Sequence, residues 1–220
     1  MVQPEVSDNA PAAVLFPQFE AEVYRMISAE VRGLTEEQLD YESDRWEWSK
    51  WSIRRNLSHM ASGDIRWFWG RWGPILFPEG LPSGDEFDTL MGSPHDRRLD
   101  ENMYWEVDDI LEKLQMGLEL SCSILGSETV GSLRAKELEI ENAGLSVQHP
   151  ELFSGGIREV PGNSSRIYMT LEATFRHRYY EYLTHLYNIQ RLKRAQGLNT
   201  KVDIPLEGYW ALPDWDRSEP

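Results

Sequence analysis

His59, and the pair Glu181 and His185 far downstream, have the residue types and spacing to hold a metal ion. Imidazole nitrogen and carboxylate oxygen are ordinary ligands of zinc, nickel and iron. Residues at i and i+4 of a helix stand on the same side, one turn apart, so Glu181-x-x-x-His185 presents two ligands together. An earlier helix carrying His59 against that face completes a set of three. Each residue also has an ordinary reading. A lone histidine in a helical protein is more often packed or hydrogen-bonded than ligating, and Glu181 alone reads as a solvated surface residue. Spacing by itself leaves both readings open.

The elements that must bring these residues together are helical by periodicity. Phe16 to Val31 carries Phe16, Phe19, Val23, Met26 and Ile27 at three-four spacing. Thr35 and Gln38 form a capping-box pattern for a short helix that ends near Tyr41. A second long helix runs from Ser52 to Trp72, with Ile53, Leu57, Met60, Asp64 and Phe68 on one side and Gly73-Pro74 as its stop. The connection from Pro74 to Asp100 is too long for a bundle turn, and loops of this length are often functional. A third helix follows from Glu101 to Leu125. A helical piece is expected over Val130 to Ile140, then irregular chain marked by Pro150, Gly155-Gly156 and Pro161-Gly162. The fourth long helix spans Ile167 to Gln196, with a stripe of Leu171, Phe175, Tyr182, Leu186 and Ile189 and Gly197 as its cap.

No strand pair stands out, so the expected fold is all-α: an up-down four-helix bundle over residues 16–197 with a long connection between its second and third helices. Residues 1–15 read as a flexible leading segment and 198–220 as an extended arm packed on the bundle. On the helical wheel His185 falls on the shoulder of the fourth stripe, Glu181 one step further out and His177 further still. His59 takes a similar shoulder beside Asn56, Gly63 and Trp67. Two packed shoulders can face each other across a groove, which is where an accessible metal would sit.

The remaining composition mostly excludes. The net charge is −15, and a nucleic-acid surface or an anionic membrane needs a basic stripe instead. Eleven acids lie between Glu79 and Glu112 against Arg97 and Arg98, the pattern of a solvated loop and outer helix face. There is no apolar run long enough to span a membrane and no secretory signal pattern, and the single Cys122 sits in a helical pattern; a cytoplasmic location is the expectation. No P-loop, dinucleotide-binding glycine pattern or paired CxxC is present. Six of the nine tryptophans fall between Trp46 and Trp72, around His59. They read either as bulky core with polar rims or as an aromatic wall for a ligand.

The segment Trp51-Ser52-Ile53-Arg54-Arg55-Asn56-Leu57-Ser58-His59-Met60 resembles the second-helix signature of the DinB/YfiT-like metalloenzyme superfamily, roughly W-S-hydrophobic-x-E-x-L-x-H-hydrophobic. The segment from His177 to Gln190 is similar to that family's fourth-helix pattern, H-x-x-x-H-x-x-x-H followed by an amide and an aliphatic. The order of elements agrees from about Phe16 to Gly197. The resemblance implies a DinB-like four-helix bundle with a divalent metal ion (Zn, Ni or Fe) between helices 2 and 4, held by His59, Glu181 and His185. Glu181 departs from the family, which usually has a histidine there. His177 would be a partner orienting a ligand. The implied activity is hydrolysis of a small molecule or its transfer to a low-molecular-weight thiol, with a metal-bound water or thiolate as nucleophile and Asp64 as a candidate base. A homodimer is an accompanying expectation. The alternative is a non-catalytic bundle that has lost its metal and binds a small ligand or a second copy of itself.

Overall fold

The computed structural model describes residues 6–141 and 148–220. The chain is mostly helical and carries one small antiparallel sheet. Helix α1 spans Glu22–Val31, preceded by a 3-10 turn at Pro17–Phe19, and the short α2 spans Glu36–Leu39. Both bonds of the capping box are made: Gln38 N–H donates to Thr35 Oγ1 at 3.3 Å, and Thr35 N–H donates to Gln38 Oε1 at 2.9 Å. Helix α3 begins at Ile53, where the Ser52 hydroxyl caps the Arg55 amide, and runs to Asp64. It then widens into a π-helical turn over Ile65–Arg71, closed by a bond from Trp72 N–H to Trp67 O.

The long connection holds two short helices, α4 (Gly73–Leu76) and α5 (Gly84–Met91), before α6 (Val107–Ser127) and α7 (Val130–Ala135). Strands β1 (Glu137–Glu141), β2 (Ile157–Val160) and β3 (Asn163–Thr170) form a sheet in the order β1-β3-β2. Strand β3 passes directly into α8 (Leu171–Ala195), with Thr170 as its cap.

Helix α3 lies between α6 and α8, and α1 also packs on both. The core between them is aromatic: Phe175 of α8 meets Phe16, Phe19 and Phe68 with ring centroids 5.4, 5.5 and 4.4 Å apart. Trp72 is fully buried and its indole N–H donates to Thr174, so this aromatic residue pairs its one polar atom.

Four expectations need correction. The chain is not all-α. Of the helical piece expected over Val130 to Ile140, only Val130–Ala135 is helix; the rest is β1, whose Glu-Leu-Glu-Ile-Glu alternation has the period of a strand. The fourth helix starts at Leu171, because Ile167 to Thr170 end β3 in register with Glu137 to Ile140. Of the leading segment read as flexible, 1–5 lie outside the described residues. From Ala10 onward it is tied down, with Ala12 fully buried and backbone bonds from Ala12 N to Glu128 O and from Val130 N to Ala10 O. In the tail, Tyr209 is buried, Trp48 donates to Ser218, and Glu219 pairs with Arg194 of α8. Among the described residues no helix is long and apolar enough to cross a membrane.

Candidate metal centre

His59 stands in the second turn of α3, and Glu181 and His185 stand one turn apart on α8, the helix packed against it. His59 Nε2 lies 3.5 Å from Glu181 Oε2, and His185 Nε2 lies 3.6 Å from the same oxygen. The two imidazole rings are 4.4 Å apart between centroids. One ligand atom from each of the three residues falls within 4.8 Å of the others. Ligands about 2.0–2.1 Å from a tetrahedral zinc sit roughly 3.3 Å from one another, so the two histidine–carboxylate separations need little adjustment. The group can hold a metal ion.

The hydrogen bonds behind the rings decide which nitrogens face inward. His59 Nδ1 is 2.8 Å from the Arg97 carbonyl, which only accepts, so Nδ1 carries the proton. His185 Nδ1 is 2.8 Å from Asn56 Oδ1. The Asn56 amide cannot turn over, because its Nδ2 donates to the Trp51 and Ser52 carbonyls at 3.0 and 2.9 Å. His185 Nδ1 is therefore also the donor. Both Nε2 lone pairs then point toward a carboxylate oxygen. Three electron-rich atoms converge with no proton fixed between them, an arrangement that a cation stabilises.

Burial, and then the neighbouring His185, lower the His59 pKa to about 4, with Glu181 opposing. A neutral imidazole is the form that binds metal. Burial alone would raise the Glu181 pKa, but His185, His59 and His177 in their protonated forms outweigh it and hold the carboxyl well below its ordinary value, the effect a bound cation would also have. Trp51 covers one side, stacked against His185 at 17° and 5.4 Å from His59.

The long connection supplies part of the site. Arg97 has a φ of 55°, a left-handed conformation uncommon for a residue with a side chain. This turns its carbonyl onto both His59 and the Ser62 hydroxyl, the latter at 2.7 Å. Two residues on, Leu99 N–H donates to Ser58 Oγ, so the segment is pinned to α3 along one face.

A cavity of about 910 Å³ opens on His59 and Glu181 and runs between the π-turn and strand β1. His177 lines it, but the hydrogen bond of His177 goes to the Tyr209 phenol at 2.6 Å, not to a ligand atom. Burial lowers the His177 pKa to about 4, Glu181 opposing and Arg178 and Arg71 adding to the fall. Asp64 does not line the cavity. It is fully buried, with one oxygen accepting from Arg178 Nε at 2.8 Å and the other from Ser121 at 2.6 Å, so both are committed and no base is available there. Of the six clustered tryptophans, Trp51 flanks the histidines and Trp67 lines the cavity, edge-on to His177; Trp72 is core and Trp46 stacks on Trp48. Cys122 is half-buried against the Phe19 carbonyl, away from the site.

Sequence reasoning missed Arg178, which lines the cavity from within the apolar stripe of α8. The signal was its place between Phe175 and Tyr182, at three-four spacing from each. It also missed Asn56 and the Arg97 carbonyl as supports of the histidines. Comparison of the chain with family models, with curated proteins and with solved structures gives no match.

Proposed function

We propose that this chain is a metal-dependent enzyme acting on a small molecule, built as a four-helix bundle of the DinB/YfiT-like type from α1, α3, α6 and α8. The reaction class is hydrolysis or transfer to a low-molecular-weight thiol. The observation that carries the reading is the convergence of His59 Nε2, His185 Nε2 and Glu181 Oε2, each imidazole locked with its proton on the far nitrogen. Structural metal sites fill every position with protein ligands, whereas three ligands beside a cavity leave room for substrate. Two nitrogens and one oxygen suit zinc, nickel or iron(II).

When bound, such an ion supplies Lewis acidity, acidifying a coordinated water or thiol and polarising a substrate oxygen. The chain supplies orientation. Asn56 and the Arg97 carbonyl hold the two imidazoles, and Trp51 shields them on one side. Trp67 and His177 shape the adjoining wall where a substrate would lie.

The test is elemental analysis of untagged protein after reconstitution with zinc, nickel, manganese and iron. Near-stoichiometric metal is expected in the parent and not in His59→Ala or His185→Ala. Parent protein that retains none of the four metals overturns the enzyme reading and leaves a non-catalytic bundle.

A further inference from the structure

The cavity beside the candidate metal centre has an arginine wall that the three ligands do not explain. Arg66, Arg71 and Arg178 all line it. Arg178 is 2% exposed and spends Nε on Asp64, but its Nη2 is buried without a hydrogen-bond partner. Gly63 makes room for that guanidinium, since a Cβ there would lie 1.9 Å from Nη2. Arg66 Nε is likewise buried and unpartnered. Among the described residues neither Arg66 nor Arg71 has an ion-pair partner within 4.0 Å, although the chain as a whole carries a net charge of −15. Of the acids lining the cavity, Glu139 is bound to Arg166 and Glu181 faces the histidines, while Glu141 acts on Arg71 only from beyond ion-pair distance.

The π-turn is what assembles this wall. In a regular α-helix residues five apart point about 140° away from each other. The wider turn over Ile65–Arg71 closes that angle and delivers Arg66 and Arg71 to one cavity. Desolvation at the wall, then repulsion from Arg178 and Arg66, pull the Arg71 guanidinium below its ordinary value. Arg66 Nε and Arg178 Nη2 are buried N–H groups without an acceptor, and the more exposed Arg71 adds a third positive charge beside them; an oxyanion relieves both the unmet hydrogen bonds and the mutual repulsion.

We infer that Arg66, Arg71 and Arg178 form an oxyanion subsite that binds a carboxylate or phosphate group of the substrate, in the cavity that opens on His59 and Glu181. As a statement about substrate this rests on the proposed metal-dependent reading; as a binding site it stands alone. A small molecule held there by its anionic end would place its remaining atoms toward the three ligands. Arginine suits the task because its planar fork meets both oxyanions in a bidentate way.

The test uses the full chain, stripped of metal by chelator, titrated calorimetrically with inorganic phosphate and separately with succinate at low ionic strength. The parent binds at least one of the two, and the preferred probe tells a phosphate-bearing from a carboxylate-bearing substrate. Arg66→Gln and Arg71→Gln, whose side chains carry no ion pair, each weaken that binding by about tenfold to a hundredfold, the range of a charge-assisted hydrogen bond. Equal melting temperatures of parent and variants establish that both are folded. Binding of neither anion overturns the inference, as does an Arg66→Gln/Arg71→Gln protein that binds like the parent. Anion binding seen only in metal-loaded protein, and surviving in the double variant, places the anion on the metal and overturns the arginine subsite alone. Metal-free binding that needs both arginines, in a protein that never takes up metal, supports the subsite and removes the enzyme reading.

Discussion

Asn56→Leu tests whether the candidate centre is organised from behind, because Asn56 touches no ligand atom facing the metal position. Its Oδ1 holds His185 Nδ1 at 2.8 Å while its Nδ2 is fixed by two carbonyls of the α3 N-terminus. Leucine keeps the volume and removes the acceptor, so His185 loses the bond that sets its tautomer and its ring angle. Loss of such a partner typically weakens metal affinity about 10–100-fold, or roughly 1.4–2.7 kcal/mol. With metal at about a hundred times the parent's Kd, binding stabilises the parent by about 2.7 kcal/mol; a tenfold weaker site retains roughly 1.4 kcal/mol. For a chain of this size each kcal/mol is about 2–4 °C in Tm. The metal-induced rise should therefore fall from about 5–11 °C in the parent to about 3–6 °C in the variant. The Trp51 carbonyl loses its donor, which lowers the melting temperature of the metal-free variant too, so the quantity compared is the increment on adding metal. A competition titration against a chromophoric chelator gives the affinity directly. An unchanged increment together with a Kd within about twofold of the parent would refute the role given to Asn56.

Asp64→Asn should destabilise the fold by about 3–5 kcal/mol in urea unfolding, because it leaves the buried Arg178 guanidinium without its counter-charge; a loss below about 1 kcal/mol would show that the pair is not what neutralises Arg178. Glu181→His makes the third candidate ligand an imidazole, and zinc affinity measured by competition should hold or rise; loss of zinc with the parent still binding would show that the site requires a carboxylate at that position. Glu30 and Lys193 form a second buried pair, joined by the Gln190 amide and the Lys201 and Val202 backbone amides. Burial opposes ionisation of Glu30, but these partners win and its pKa lies below the ordinary 4.5. A depressed carboxyl stabilises the fold above its unfolded pKa and loses that contribution as pH falls through the folded value. Urea midpoints from pH 6 down to about pH 3 should therefore fall more steeply in the parent than in Glu30→Gln, and parallel profiles would remove Glu30 from the acid response.

Local signals read well wherever the physics was local. The capping box at Thr35 and Gln38 and the Ser52 cap of α3 each act within one turn, so they are visible in the residues themselves, whereas Gly73-Pro74, expected as a stop, opens α4. The i, i+4 relation of Glu181 and His185 is likewise a property of a single helix. Strand β1 was harder. Five alternating residues count as a strand only once a partner satisfies their backbone groups, and that partner, β3, begins at Asn163, after β2 in the chain. Asp64 shows the same division inside the core. Its place on the apolar stripe of α3 was plain in the sequence, but a charge on such a stripe reads as a base, a ligand or a flaw until its partner, Arg178 on α8, is known.

The sequence by itself determined which residues can ligate a metal, which helices carry them and which side of each helix they share, because helical geometry converts spacing into direction. Only the tertiary structure decided that His59 meets Glu181 and His185 across two packed helices, and that the bend at Arg97 and the amide of Asn56 fix the nitrogens they present. Only the π-turn brought Arg66 and Arg71 to the same cavity. These outcomes depend on packing and backbone hydrogen bonds between segments distant in the chain, and no periodicity within one segment encodes them.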